Sequence, residues 1–458
     1  MYHLKGATAI SPQHTRRTFF SFATAAAVAA SRQKSVAAPL AASDKVDVAI
    51  IGLGGRGRDH MNEYAKLPDA NIVALCDVNQ AALERGQALV EKLTGNKPKG
   101  YADMRQVFDD KSVQAVSMPV PNHWHALATI WACQAGKDVY IEKPACHNVF
   151  EGQQMIAAAR KYGRMVQIGS QSRSIEHKVK AIRLLHEGII GKVYLAKGLS
   201  FKRRLSIGHK DDAPIPAGLD WDKFLGPAPM RPFNELRFAY NWHWFWDTGN
   251  GDIGNQGVHE MDIARWGLNR GLPQSVSSTG GKYYVPANDD QETPNTQMAT
   301  FNYGDAELMF EVRGGITGGE GGLEIRGGNT IGDLFYGTEG WMAIDGDGFQ
   351  VYKGVRSADG KSEKQEKIMD EKKSTAGDTG PHMANFLAAV KSRNYKDLHA
   401  DVEIAVPSAD LCHLANTSYR LNRTLKFDDA TRKYIGDEEA NKMLTRNYRK
   451  GYVVPEKV

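Results

Sequence analysis

Gly52, Gly54 and Gly57 stand in the order G-x-G-x-x-G directly after the apolar run Val46 to Ile51. In that spacing the first glycine permits a tight strand-to-helix turn and the second lets the backbone approach a pyrophosphate. The third lets the helix pack closely on the strand. Amides at the start of such a helix, at the positive end of its dipole, bind phosphate. Asp77 closes the next apolar run, twenty residues after Gly57. A carboxylate at that place accepts hydrogen bonds from both hydroxyls of an adenosine ribose and repels a 2′-phosphate. NAD is therefore the expected cofactor, while Arg56 and Arg58, close to the phosphates, keep NADP open as the alternative.

Two more segments follow apolar runs: Pro121-Asn122-His123-Trp124-His125 and Glu142-Lys143-Pro144. Both fall at carboxyl ends of expected strands, where open α/β sheets bind their ligands. Taken alone, Lys143 is a lysine before a rigid proline turn, and the neighbouring nucleotide motif is what gives it chemical interest. Further on, Asn241-Trp242-His243-Trp244-Phe245-Trp246-Asp247 groups aromatic and polar side chains in a way that suits a sugar ring and equally suits a core. His123, His125, His243 and His259 match no compact ligand spacing, so no metal is expected.

The elements that must position these residues alternate. Val46 to Ile51, Ile72 to Cys76, Val113 to Met118, Asp138 to Ile141 and Val166 to Ile168 read as buried strands. Between them lie helical stretches such as Ala126 to Cys133, and a capping box at Asn148 and Glu151 opens a helix that Gly163 can end. This is a Rossmann-like, doubly wound parallel sheet over residues 44–170. Beyond Ser170 the pattern changes to short alternating strands, Val193 to Gly198, Met298 to Tyr303 and Glu307 to Val312, with helices near Gly257 to Leu268 and Ala409 to Leu421. Residues 171–458 are accordingly an α+β domain with a mostly antiparallel open sheet.

The chain has 458 residues, 41% of them hydrophobic and 24% charged, an ordinary globular balance with room for two domains. Its first 43 residues read differently. Arg16-Arg17 and the pair Phe19-Phe20 lead into the alanine-rich apolar run Phe22 to Ala30, the layout of a twin-arginine export signal. That run is far short of the ~20 residues that span a bilayer, so a periplasmic protein with no membrane anchor is expected. The leader holds five basic residues and no acidic one, and its removal leaves 53 charges of each sign. A balanced mature chain argues against nucleic acid as a partner. Cys76, Cys133, Cys146 and Cys412 lack paired spacing and read as buried small hydrophobes.

Beside the glycine motif, Glu142-Lys143-Pro144 resembles the E-K-P triplet of the family of glucose-fructose oxidoreductase and inositol dehydrogenase (Gfo/Idh/MocA), and the resemblance runs from about Lys45 to the carboxy-terminal helices. The family's second signature, D-x-G-x-H, is matched by Asn255-Gln256-Gly257-Val258-His259, with Asn255 in place of the usual aspartate. The resemblance implies that Lys143 reaches the substrate hydroxyl beside the nicotinamide and that His259 serves as acid-base. Asn255 can hold a hydroxyl but cannot take up a proton. His125, Trp244 and Asp262 become candidate substrate contacts, the last with an orienting role as its alternative. Pro121, Asn122, His125, Glu142 and Lys143 join Gly52, Gly54, Arg56, Gly57 and Asp77 as candidate cofactor contacts.

The activity implied is hydride transfer between a secondary hydroxyl of a sugar or polyol and a nicotinamide. A redox-neutral glycosidase or lyase of the same fold is the main alternative, and a non-catalytic sugar-binding protein is a third. An exported protein meets no soluble NAD(H) pool, so a cofactor carried out bound and recycled in place is expected. Members of the family commonly pair through the open face of the second sheet, which implies a homo-oligomer.

Overall fold

Val46–Ile51 (β1) is apolar at every position but Asp47 and occupies the middle of a parallel sheet, where both of its faces are covered. The computed structural model describes residues 44–357, 359–361, 363–373 and 379–458, and the expected export signal lies outside them. After β1 come α1 (Gly55–Tyr64), β2 (Ala70–Cys76), α2 (Gln80–Thr94), β3 (Lys99–Tyr101), α3 (Met104–Asp109), β4 (Ala115–Met118), α4 (His125–Gln134), β5 (Asp138–Ile141), α5 (Val149–Tyr162) and β6 (Val166–Ile168). The strands stand in the order β3-β2-β1-β4-β5-β6, all parallel. The winding reverses between β1 and β4, and a ligand crevice opens at such a switch point. Local sequence sets the helix ends. Asn148 caps α5 by accepting from the Glu151 amide at 3.0 Å, Glu151 accepts in turn from the His147 amide at 2.9 Å, and Gly163 ends the helix at φ +59°.

The chain then crosses to α6 (Glu176–His186), β7 (Val193–Phe201), α7 (Trp221–Leu225), α8 (Gly251–Asn255), α9 (Gly257–Leu268), β8 (Ser275–Gly281), β9 (Thr296–Asn302) and β10 (Glu307–Arg313). It continues through β11 (Thr330–Gly337), β12 (Gly340–Asp345), β13 (Gly348–Arg356), β14 (Glu363–Lys372), α10 (Thr379–Ser392), α11 (Val402–Leu421), β15 (Leu425–Asp428) and β16 (Lys433–Tyr434). Among the described residues ten strands form a second sheet, β14-β13-β12-β11-β7-β10-β9-β8-β15-β16, antiparallel except for the β7–β10 pair. Helices α6, α9 and α11 bury one face of it around Met261, Phe301, Phe310 and Phe335. Tyr194, Met298 and Met309 are exposed on its strands.

Two features depart from the sequence reading. Helix α11 begins at Val402, well before Ala409, because Asp401 caps it and Pro407 is carried inside. Burial of Val402, Ala405, Val406 and Ala409 outweighs the one backbone bond that a proline forfeits. Ser170 marks where the chain crosses, yet the first sheet's core is completed from later sequence. Met383, Phe386 and Leu387 of α10 pack with Val46, Val48 and Ile50. The start of α11, with Tyr452 and Val454, joins the cluster on the other face. Among the described residues no helix is long and apolar enough to cross a membrane. The four cysteines are buried and form no disulfide.

Candidate active site

A cleft of about 980 Å³ runs from the glycine turn after β1 to α8 and α9. At the turn, Gly52 sits at φ +91°, and an added Cβ would lie 2.9 Å from the Pro119 carbonyl oxygen. A Cβ on Gly57 would lie 2.1 Å from the Gly52 oxygen, so helix and strand meet there at glycine distance. Gly54 and Gly55 differ: they line the cleft, and nothing stands within 4 Å of where a Cβ would be. Open space against exposed amides at a helix start fits a pyrophosphate. Asp77 also lines the cleft and is held rigid, with Oδ2 accepting from the Leu53 amide at 2.7 Å and Oδ1 from the Asn79 amide at 2.8 Å. A carboxylate oxygen has a further lone pair for a ribose hydroxyl, so the residues present fit NAD. Pro121 and Asn122 line the wall, and Asn122 donates to Asn250 Oδ1 at 3.0 Å. Sequence reasoning missed Arg85, Trp131 and Tyr452 on this part of the cleft, which come from helices and from the chain's far end.

Beyond β5, Glu142 is buried and its Oε1 accepts from Arg56 Nε at 2.8 Å, lies 3.0 Å from His60 Nε2 and accepts from Gln171 at 3.2 Å. Burial alone would push this carboxyl up; Arg56 and His60 overcome that and hold it well below the ordinary range. Arg56 is thereby tied to Glu142, which sets it in the wall beside Lys143. Lys143, partly buried, donates from Nζ to the Asn255 carbonyl at 3.0 Å and to Asn255 Oδ1 at 3.4 Å. Burial lowers its pKa to about 8, with Glu142 pulling the other way. Asn255 ends α8, and its Nδ2 donates to the Tyr240 hydroxyl oxygen at 2.9 Å, which also accepts from Arg204 at 3.0 Å. Two donors on that oxygen leave the Tyr240 O–H directed elsewhere, and Tyr240 lines the cleft. His259 lies on the same wall, in the first turn of α9, and its ring makes no hydrogen bond to a described residue. Burial, then Lys143, pushes it well below the usual histidine range, so the ring is neutral. Next to it Glu260 lines the cleft, raised by burial to about 7.

The structure thus brings Lys143, Asn255 and His259 together with Gly52, Gly54, Arg56, Asp77, Pro121, Asn122 and Glu142 around one cleft. Four expected contacts lie behind its walls. Gly57 serves packing, as its distance to Gly52 shows. His125 is buried with Nδ1 2.6 Å from the Pro144 oxygen and Nε2 2.9 Å from the Val120 oxygen, so its ring sits between the two loops that carry the site, and the one N–H of the neutral ring donates to one of those oxygens. Asp262 accepts from Arg173 Nε at 2.7 Å and Nη2 at 2.8 Å and from Ser408 at 2.7 Å, all buried. Trp244 is buried with the Arg204 guanidinium 5.1 Å from its ring centre, and Trp242 and His243 face the cleft in its stead. The repeat of one residue in a sequence run cannot reveal which of several aromatics points outward. Among the described residues, one trio of ligand-type side chains comes together, Cys146, Asp410 and His413: Cys146 Sγ lies 3.5 Å from His413 Nε2, and Asp410 Oδ2 accepts from Arg432 at 3.0 Å while its Oδ1 is buried without a hydrogen-bond partner.

Known proteins match most of the chain. Residues 46–170 match the oxidoreductase family GFO_IDH_MocA, NAD-binding Rossmann fold, and residues 169–289 and 338–454 match that family's C-terminal alpha/beta domain. Inositol 2-dehydrogenase of Salmonella typhimurium is 32% identical over 151 residues, 32% of this chain and 44% of that protein. A glycosyl hydrolase family 109 protein of Saccharopolyspora erythraea is 25% identical over 218 residues, 46% of this chain and 42% of that one. The match to each spans under half of the relative's length. In fold the chain is similar to the WlbA dehydrogenase of Chromobacterium violaceum, solved with NADH and UDP-GlcNAcA, at a TM-score of 0.62 and 17% identity over 86% of this chain and 99% of that one. Because both halves match and the nucleotide turn is intact, the chain belongs to the Gfo/Idh/MocA family of oxidoreductases, with an NAD-binding Rossmann domain.

Proposed function

We propose that this protein moves a hydride between a secondary hydroxyl of a sugar or polyol and NAD. The observation that carries the reading is Lys143, whose Nζ lies 3.0 Å from the Asn255 carbonyl in the NAD cleft with a pKa lowered to about 8. Bound NAD supplies the hydride acceptor or donor. The protein's residues supply the rest. A substrate hydroxyl near Lys143 Nζ hands its proton to the neutral amine or to the neutral His259 ring, and returns it in the reverse direction. Asn255 orients that hydroxyl through its amide, and the Tyr240 O–H has a neighbouring oxygen to donate to. Similarity to inositol 2-dehydrogenase supports a polyol or sugar as substrate. In a panel of sugars and polyols, Lys143→Ala should keep nucleotide binding and lose turnover. Turnover equal to wild type would refute the assignment.

The Arg16-Arg17 leader supports export by the twin-arginine route, with NAD carried out bound and regenerated by a second substrate. Mass spectrometry of nucleotide released on denaturation tests this, and an empty site refutes it. Similarity to the family 109 relative supports a second reading, redox-neutral cleavage of a glycoside at the same residues; release of an aryl leaving group without net NADH formation would favour it. The exposed Tyr194, Met298 and Met309 support pairing of two copies through the second sheet, which light scattering tests.

A further inference from the structure

We infer that residues 218–226 and the last ten residues of the chain form a two-part strap across the nucleotide end of the cleft, which keeps bound NAD from exchanging. The inference rests on the retained-cofactor part of the proposed function and is independent of the sugar chemistry.

The lips of a Rossmann nucleotide site are the loops after its central strands, here Asp77 to Asn79 after β2 and Pro119 to Trp124 after β4. Residues 218–226 lie across both. On the first lip the Gln80 amide donates to the Gly218 oxygen at 2.9 Å and the Asp220 amide to the Val78 oxygen at 2.9 Å, with a β-bridge between Asn79 and Leu219. On the second, Trp124 Nε1 donates to the oxygens of Lys223 and Phe224, both at 3.0 Å, and His123 Nε2 lies 2.9 Å from the Phe224 oxygen. Lys223 and Phe224 line the cleft themselves. Gly226 marks how close the approach is: at φ +43°, a Cβ there would lie 2.1 Å from the Trp124 ring.

The carboxy-terminal residues latch this segment. Arg449 donates from Nε to the Gly226 oxygen at 2.7 Å and from Nη1 to Asp222 Oδ1 at 2.6 Å. The Tyr452 hydroxyl donates to Asp222 Oδ2 at 3.0 Å, while its ring stands edge-on to Trp124 at 5.5 Å and lines the cleft. Two residues on, Val454 is buried in the core of the first sheet and anchors the latch. A bare Rossmann edge is open at its strand ends, so a dinucleotide leaves once its own bonds break. Here a segment bonded to both lips and fastened by the tail must detach first. A cofactor that cannot be replaced from solution calls for such slow release.

The test uses the full chain, purified as wild type, Tyr452→Ala, Tyr452→Phe and Asp222→Asn, with circular dichroism to confirm folding. Exchange of bound nucleotide against deuterium-labelled NAD is followed by mass spectrometry. Wild type should exchange slowly, and Tyr452→Ala at least about tenfold faster, equivalent to about 1.4 kcal/mol. Tyr452→Phe keeps the ring and loses the bond to Asp222; like Asp222→Asn, it should fall between the two, and both carry the test if the alanine variant misfolds. Equal exchange rates in folded variants and wild type overturn the inference, as does a wild type that exchanges within seconds. Faster release in the variants of a protein that turns over no sugar upholds the strap and refutes the proposed activity. Sugar turnover with freely exchanging NAD does the opposite.

Discussion

Replacing Lys143 by arginine keeps a cation and hydrogen-bond donors in the cleft but leaves no side chain at that position able to act as a base near neutral pH. The structure lowers Lys143 from 10.5 to about 8. At pH 7 about one amine in eleven is then neutral, against about one in three thousand for an ordinary lysine, a gain of about 300-fold in free base. If Lys143 takes the hydroxyl proton, kcat/KM for oxidation should rise about tenfold per pH unit up to about 8 and then level. His259, held well below the usual histidine range, is already neutral throughout and contributes no such limb. The assay is kcat/KM from pH 6 to pH 10 with the nucleotide site filled, repeated with a carbon-deuterated substrate to confirm that hydride transfer limits the rate. Lys143→Arg should lose the limb, and its rate at pH 8 should fall by about 10²–10⁴. Persistence of the limb in Lys143→Arg would refute the reasoning, and a flat wild-type profile with a full isotope effect would refute it and move the base to His259. The same lowering has a sign in stability. The unfolded chain holds the Lys143 proton up to 10.5 while the folded one releases it near 8, so stability rises with pH across that window. The rise is at most about 3 kcal/mol, since the amine meets cleft water.

Three further outcomes follow from the geometry. Asp262→Asn should cost about 3 kcal/mol in a urea titration, because it leaves Arg173 buried without its countercharge; a normal fold with a raised KM would instead place Asp262 on the substrate. Gly54→Ala should fold as wild type and lose NAD affinity at least about tenfold by fluorescence titration, since its Cβ enters open space, whereas Gly57→Ala should lower the melting temperature because its Cβ meets the Gly52 oxygen. Asp77→Ala should shift the binding preference from NAD towards NADP, read as the ratio of the two Kd values, and an unchanged ratio would show that Asp77 does not face the ribose.

Much of the site was legible because its parts follow local rules. A glycine turn after a strand, a carboxylate after the next strand and a lysine before a proline each depend on neighbours within a few residues. The departure at Asn255 was also visible, and the structure adds that its amide is held between Lys143 and Tyr240. What stayed hidden depended on side-chain direction. His125 and Asp262 sit in the right motifs but turn inward, His125 between two backbone carbonyl oxygens and Asp262 onto Arg173. Trp242 and Trp244 are two residues apart, and only the packing of Arg204 on Trp244 settles which one faces the cleft.

By itself the sequence determined the parallel sheet, the nucleotide turn and the presence of Lys143 and His259, since hydrophobic periodicity, glycine conformation and short motifs are written in adjacent residues. Tertiary structure decided that α10 and the tail complete the first sheet's core, that Glu142 is ionised by Arg56 and His60, and that Tyr452 reaches the nucleotide cleft. These are contacts between residues far apart in the chain, and burial, charge and hydrogen-bond partners exist only once the folded chain has brought such residues together.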